Sequence, residues 1–309
     1  MWDTNLGYTI SYPITLPSTA GGVPGAALDS KGNIWVIQRN PQGNPQLFEF
    51  DKDYKLIRTI GPDMIGHHLK GHALAVDPED NVWFSDADGS TVTKVSPEGK
   101  VLLALGIRGK RGDWDEAKEQ RLLWQPASVA FGANNDVYIG EGHANESPND
   151  VDSDDPANKI GAARILHLTR DGKFINQWFG DEVGPGKFDQ VHALGVDPRN
   201  GDVWIGDREQ YRFVVYNADG QFLKTLQMRN LTCGIFFDSQ GNVWMSSGQD
   251  GQILKIDRDG KVLGAIGNSS GTGEGQFNEA NYFSVDKQGN IYVGDTGIAR
   301  ITKMTPPKK

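Results

Sequence analysis

Short runs in which apolar and polar residues alternate, each closed by a turn, recur from one end of the chain to the other. The clearest copies are "KGNIWVIQ", "EDNVWFSD", "NNDVYIGE", "NGDVWIGD", "QGNVWMSS" and "QGNIYVGD". A period of two marks strands with one face buried, and Asn-Gly or Asp-Gly between such runs marks a hairpin. Each copy carries one aromatic residue at the same place: Trp35, Trp83, Tyr138, Trp204, Trp244 and Tyr292. A third run follows in every unit, as in "TVTKVSPEG", "RFVVYNADG" and "GQILKIDRDG". A first run precedes it, and two of these nearly coincide: "HALAVDPEDNVWFSDA" (72–87) and "HALGVDPRNGDVWIGDR" (192–208).

Six units of this kind predict an all-β fold, a six-bladed β-propeller with four strands per blade, and a single domain over 1–309. The sixth unit stops after its third strand at "ITKMTPPKK", while a spare strand, "YTISYPITLP", stands at the N-terminus. Pairing the two closes the ring and leaves no open sheet edge. Two interruptions stand out. Residues 107–126 join blades 2 and 3 and are expected to hold a short helix. Residues 143–161 split blade 3 and carry Glu146, Asp150, Asp152, Asp154 and Asp155. This second insert reads as a solvated loop, or as a calcium site or lid, although its spacing departs from the calcium-loop pattern.

Composition narrows the partners. Thirty-nine glycines suit a chain of tight turns, and a net charge of −9 argues against nucleic acid and anionic membrane surfaces. No apolar run approaches a membrane span. The first residues lack the basic and apolar segments of a signal peptide, so a cytoplasmic location is expected, or a periplasmic or secreted one if a leader has been removed. The single cysteine, Cys233, rules out an internal disulfide and fits a reducing compartment.

Equivalent positions of a propeller form rings about its axis. Counted back from the end of each second strand, the first inner-strand position reads Pro24, His72, Ala127, His192, Cys233 and Asn281. His72, His192 and Asn281 sit on alternate blades and converge on the axis, a placement suited to a divalent metal such as zinc, completed by water or substrate. Duplication alone also accounts for two like histidines. Arg39 and Arg208 leave equivalent second strands at the same mouth, where two guanidiniums form a receptor for a small carboxylate substrate, or pair with acids such as Glu209. His143, and Tyr282 beside Asn281, are the candidate proton carriers. Cys233 reads as an inert buried thiol, with metal ligation as the alternative.

The turn-and-aromatic unit resembles NHL repeats. More narrowly, "GHALAVDPEDNVWFSDAD", "VHALGVDPRNGDVWIGDREQYRFVVY" and "GNIWVIQRN" resemble peptidyl-α-hydroxyglycine α-amidating lyases, which split a carbinolamide into an amide and glyoxylate. The resemblance implies a zinc held by three histidines, with two arginines, a tyrosine and an aspartate around the substrate. His72 and His192 match two zinc ligands, and Arg39 and Arg208 match the arginines. Asn281 stands where the family has its third zinc histidine, Tyr282 where it has the aspartate, and His143, in "EGH", where it has a tyrosine in "DGY". A metal-assisted lyase or hydrolase with an altered metal-and-base half is the expectation. Two alternatives stay open: a non-catalytic interaction propeller, and a calcium-dependent lactonase of the gluconolactonase type. Asn281 fits the lactonase, but the first inner strand, "VPGAALD", offers no channel glutamate.

Overall fold

A computed structural model of the chain describes residues 1–39, 46–66, 70–143, 163–180 and 187–308. The alternating runs form six antiparallel sheets of four strands each. The inner strands are Gly25–Leu28, Pro126–Phe131, Val191–Val196, Thr232–Phe237, Ala280–Val285 and, in blade 2, Gly71–Val76. Each inner strand packs on that of the next blade, and blade 6 returns to blade 1. The N-terminal strand Thr9–Ser11 pairs with Arg300–Thr305, Thr9 facing Thr305, and completes blade 6 as its outermost strand. The expected closure is therefore the one observed.

The repeated aromatic residues fill the seams between blades. Trp35 packs among Leu74, Val82 and Phe84 of blade 2, and Trp83 among Val129, Val137 and Ile139 of blade 3. Tyr138, Trp204, Trp244 and Tyr292 occupy the next four seams in turn. In blades 2 and 5 an aspartate six residues before the tryptophan ties the inner hairpin to it. Trp83 Nε1 donates to Asp77 at 3.0 Å and Trp244 Nε1 donates to Asp238 at 2.9 Å. The same carboxylates accept the backbone N–H groups of Asn81 and Asn242 in the turn. The repeat is thus a folding unit whose aromatic anchors it to its neighbour.

In the first interruption a single turn of 3-10 helix, Glu116–Lys118, sits within a minimal hairpin of Trp114–Asp115 and Gln120–Arg121. The acidic residues of the second, from Glu146 to Asp155, lie outside the described residues. Among the described residues no helix is long and apolar enough to cross a membrane.

Candidate metal centre

The first ring of channel residues is built by β-bulges. In blade 4 Val191 pairs with Asp207 and Ala193 with Gly206, which leaves His192 as the extra residue. Ala127 and Cys233 are the extra residues in blades 3 and 5. In blades 2 and 6 the register shift takes in His72–Ala73 and Asn281–Tyr282. A bulge re-aims the side chain it carries, and here it does so in five of the six blades. In blades 2, 4 and 6 the loop before the ring residue is clamped by the aspartate that ends the second strand. Asp86 accepts Lys70 N, Asp207 accepts Asp189 N and Gln190 N, and Asp295 accepts Asn278 N and Glu279 N.

His72 and His192 meet across the channel with ring centroids 4.8 Å apart. A third imidazole joins them. His143 lies 4.3 Å from His72 and 5.4 Å from His192, centroid to centroid. One ligand atom from each of the three lies within 4.8 Å of the others, and all three side chains are buried. His143, expected as the proton carrier, therefore stands with the two ring histidines as a third nitrogen donor. Cys233 is not part of this group; burial pushes its thiol up to about 11, so it is neutral.

The two ring histidines are oriented by the next blade. His72 Nδ1 donates to the carbonyl of Ala127 at 2.8 Å, and His192 Nδ1 donates to that of Cys233 at 2.9 Å. A carbonyl only accepts, so Nδ1 carries the proton and Nε2 keeps its lone pair. His72 Nε2 is buried and has no hydrogen-bond partner. Burial, first, holds all three imidazoles well below the ordinary value. The positive charge of Arg39 acts in the same direction on each, with Lys70 adding to it at His143 and Arg208 at His143 and His192. All three are neutral at neutral pH, the form that ligates.

His143 reaches the centre because the chain turns sharply before it. Gly142 has φ +106°, and a Cβ there would come within 3.0 Å of Ala163. Glu141, just upstream, is locked by Arg164 Nε at 2.7 Å, with both side chains fully buried. Gln190 Nε2 donates to the carbonyl of His143 at 2.9 Å. Gln190 and Lys70, neither singled out from the sequence, each stand close before a ring histidine, a position legible only once the ring is known.

The arginines surround the mouth, but Arg208 is not an open fork. Its Nη1 meets Glu209 and its Nη2 meets Glu279, each at 2.9 Å, and Thr296 Oγ1 donates to Glu279 at 2.7 Å. Arg39 Nε donates to the carbonyl of Gly71 at 3.1 Å. A substrate carboxylate at Arg208 has to share the guanidinium with two protein carboxylates.

Tyr282 spans the channel one level below. The equivalent residues of the other blades are Gly25, Ala73, Ser128, Ala193 and Gly234, all small. A Cβ on Gly25 would lie 3.2 Å from Tyr282 Cβ. The hydroxyl reaches the far side, 2.6 Å from the Ala127 carbonyl, 3.1 Å from Ser128 Oγ and in contact with the His192 carbonyl. It lies 3.2 Å from His72 Nδ1, the edge of the ring opposite Nε2. Tyr282, expected as a proton carrier, is thus placed as the floor of the histidine site. Below it opens a cavity of about 790 Å³ walled by Leu74, Val129, Leu194 and Phe283. Tyr282→Phe is expected to keep the fold and weaken any binding of added zinc about tenfold, because the hydroxyl meets both His72 Nδ1 and the Ala127 carbonyl that orients it. A zinc competition titration checks this.

No family model matches the chain. Over 243 residues, 70% of its length, it is 26% identical to the peptidyl-glycine alpha-amidating monooxygenase of Mus musculus, and it covers 23% of that protein. Over 163 residues it is 31% identical to peptidyl-alpha-hydroxyglycine alpha-amidating lyase 1 of Drosophila melanogaster, covering 49% of this chain and 26% of that one. The chain thus spans about a quarter of the length of these curated relatives. Among solved structures it resembles a streptogramin B lyase, at TM-score 0.64 and 14% identity over 99% of this chain and 100% of that one. It also resembles a gluconolactonase of Xanthomonas campestris, at TM-score 0.68 and 14% identity over 98% and 92%. The sequence similarity points to the amidating relatives, and the structural similarity establishes the propeller fold.

Proposed function

We propose that the chain is a metal-assisted lyase that cleaves the carbon–nitrogen bond of a small carbinolamide carrying a carboxylate. The observation that carries this reading is the set of three buried, neutral histidines, two of them fixed by carbonyls at Nδ1 and one with an unpartnered Nε2. Three imidazoles suit zinc or another transition ion and suit calcium poorly, since calcium takes oxygen ligands. His72, His143 and His192 would hold the ion, whose chemistry when bound is to polarise a substrate oxygen. The names of the relatives, which include an α-hydroxyglycine lyase, support the reaction class.

The chain's own residues do the rest. Arg39, Lys70 and Arg208 place positive charge around the site and favour an anionic substrate. The Ala127 and Cys233 carbonyls hold the ring tautomers, and Tyr282 closes the channel beneath. In the overall reaction the C–N bond breaks, the carbinol carbon becomes the aldehyde of glyoxylate, and the hydroxyl proton ends on the amide nitrogen. Neither an oxidant nor a reductant is required.

The test is release of glyoxylate from N-acetyl-α-hydroxyglycine by the zinc-loaded protein. Arg39→Ala is expected to raise KM about tenfold or more with a smaller effect on kcat, as loss of a charged contact to the carboxylate requires. Absence of turnover by protein holding one zinc would overturn the lyase reading.

A further inference from the structure

Asn281 occupies the ring position of blade 6, at the step that follows the pair Ala280 and Asp295, as His72 follows Gly71 and Asp86 and His192 follows Val191 and Asp207. Its backbone carbonyl is satisfied, accepting from Ser246 Oγ at 2.8 Å. Its side chain is not. The residue is 1% exposed, and both Oδ1 and Nδ2 are buried without any hydrogen-bond partner. A buried polar group that nothing ever meets destabilises the fold. On this ring the unpartnered side-chain atoms are those of Asn281 and His72 Nε2. The histidine atom belongs to the ligand set, which His143 completes with a third nitrogen.

We infer that the Asn281 amide is a substrate-reading group, and that it recognises a nitrogen and an oxygen carried on one carbon. This deepens the lyase reading and rests on it for the identity of the reaction. A primary amide presents an acceptor and a donor on one carbon. A carbinolamide presents the complement: an N–H and an oxygen, also on one carbon. Oδ1 accepts the substrate N–H and Nδ2 donates to the oxygen, so both orphan atoms are satisfied in one paired contact. The N–H contact persists as the nitrogen gains its second proton. A site of this kind rejects an ester-linked analogue, which has an acceptor oxygen where Asn281 needs a donor.

Binding separates this from the reaction itself. The probes are N-acetylglycine and acetoxyacetate, two small carboxylates that differ in N–H against O, titrated by calorimetry into zinc-loaded protein. The parent protein is expected to prefer N-acetylglycine by about 10–100-fold. Asn281→Leu, of similar size, is expected to bind both equally while keeping one equivalent of zinc. Asn281→Ser serves the same purpose if the leucine variant does not fold. Equal binding of the two probes by the parent protein, or a preference that survives in the variants, would overturn the inference. Loss of zinc in the variants would also overturn it, by making Asn281 a metal ligand. If the parent protein discriminates between the probes but releases no glyoxylate, the lyase reading fails and the recognition role stands.

Discussion

Replacing His72 and His192 together by alanine is expected to lower zinc affinity by at least a thousandfold and to abolish glyoxylate release, with the propeller intact. Two of the three nitrogen donors are removed, and one imidazole alone, that of His143, holds zinc far more weakly than three. Fold loss is not the expected cause, because the six seams that hold the blades are built from other residues. Removal of buried imidazoles leaves small polar cavities beside the Ala127 and Cys233 carbonyls, which water can enter from the channel. Isothermal titration with zinc, beside a thermal melt of the metal-free protein, separates the two effects. A variant that still bound zinc with parental affinity would move the metal elsewhere.

The metal-free protein is expected to lose stability steeply as pH falls below about 6.5. The sign follows from the direction of the shifts. Burial holds His72, His143 and His192 well below the ordinary imidazole value in the folded chain. The unfolded chain therefore binds their protons first, and stability present above the unfolded value is lost as pH drops through it. Each proton contributes up to about 1.4 kcal/mol per pH unit, so three contribute up to about 4 kcal/mol per unit in the steepest region. Zinc competes with those protons and should move the acid limb to lower pH. Urea unfolding midpoints between pH 7.5 and 5, with and without zinc, check both statements. A flat profile down to the carboxylate range would mean that the three imidazoles are not jointly neutral.

Much of the architecture is legible in the sequence because a propeller repeats itself. The turn-and-aromatic unit states the blade six times, and the spare N-terminal strand states the closure. The ring at His72, His192 and Asn281 follows from counting within the repeat, because the bulges fall at one register in five blades. What does not repeat is harder to read. His143 lies past the end of a second strand, and its return to the axis depends on the positive φ of Gly142 and the buried Glu141–Arg164 pair. The positive φ has no counterpart at the same position of the other blades, whereas the ion pair recurs, less buried, as Asp207–Arg212 and Asp295–Arg300. Tyr282 is legible only as a neighbour of Asn281; its role as a cross-channel floor depends on five small residues scattered over the other inner strands. Arg208 carries its fork in the expected place, yet its partner Glu279 is 71 residues away along the chain.

The most direct test is anomalous diffraction from crystals of the zinc-loaded protein, measured on either side of the zinc absorption edge. A metal centre at the three histidines predicts one strong peak bounded by Nε2 of His72, Nε2 of His192 and an imidazole nitrogen of His143, above the ring of Tyr282. No peak among the three histidines, or a single peak bound by carboxylates away from the channel axis, would contradict it.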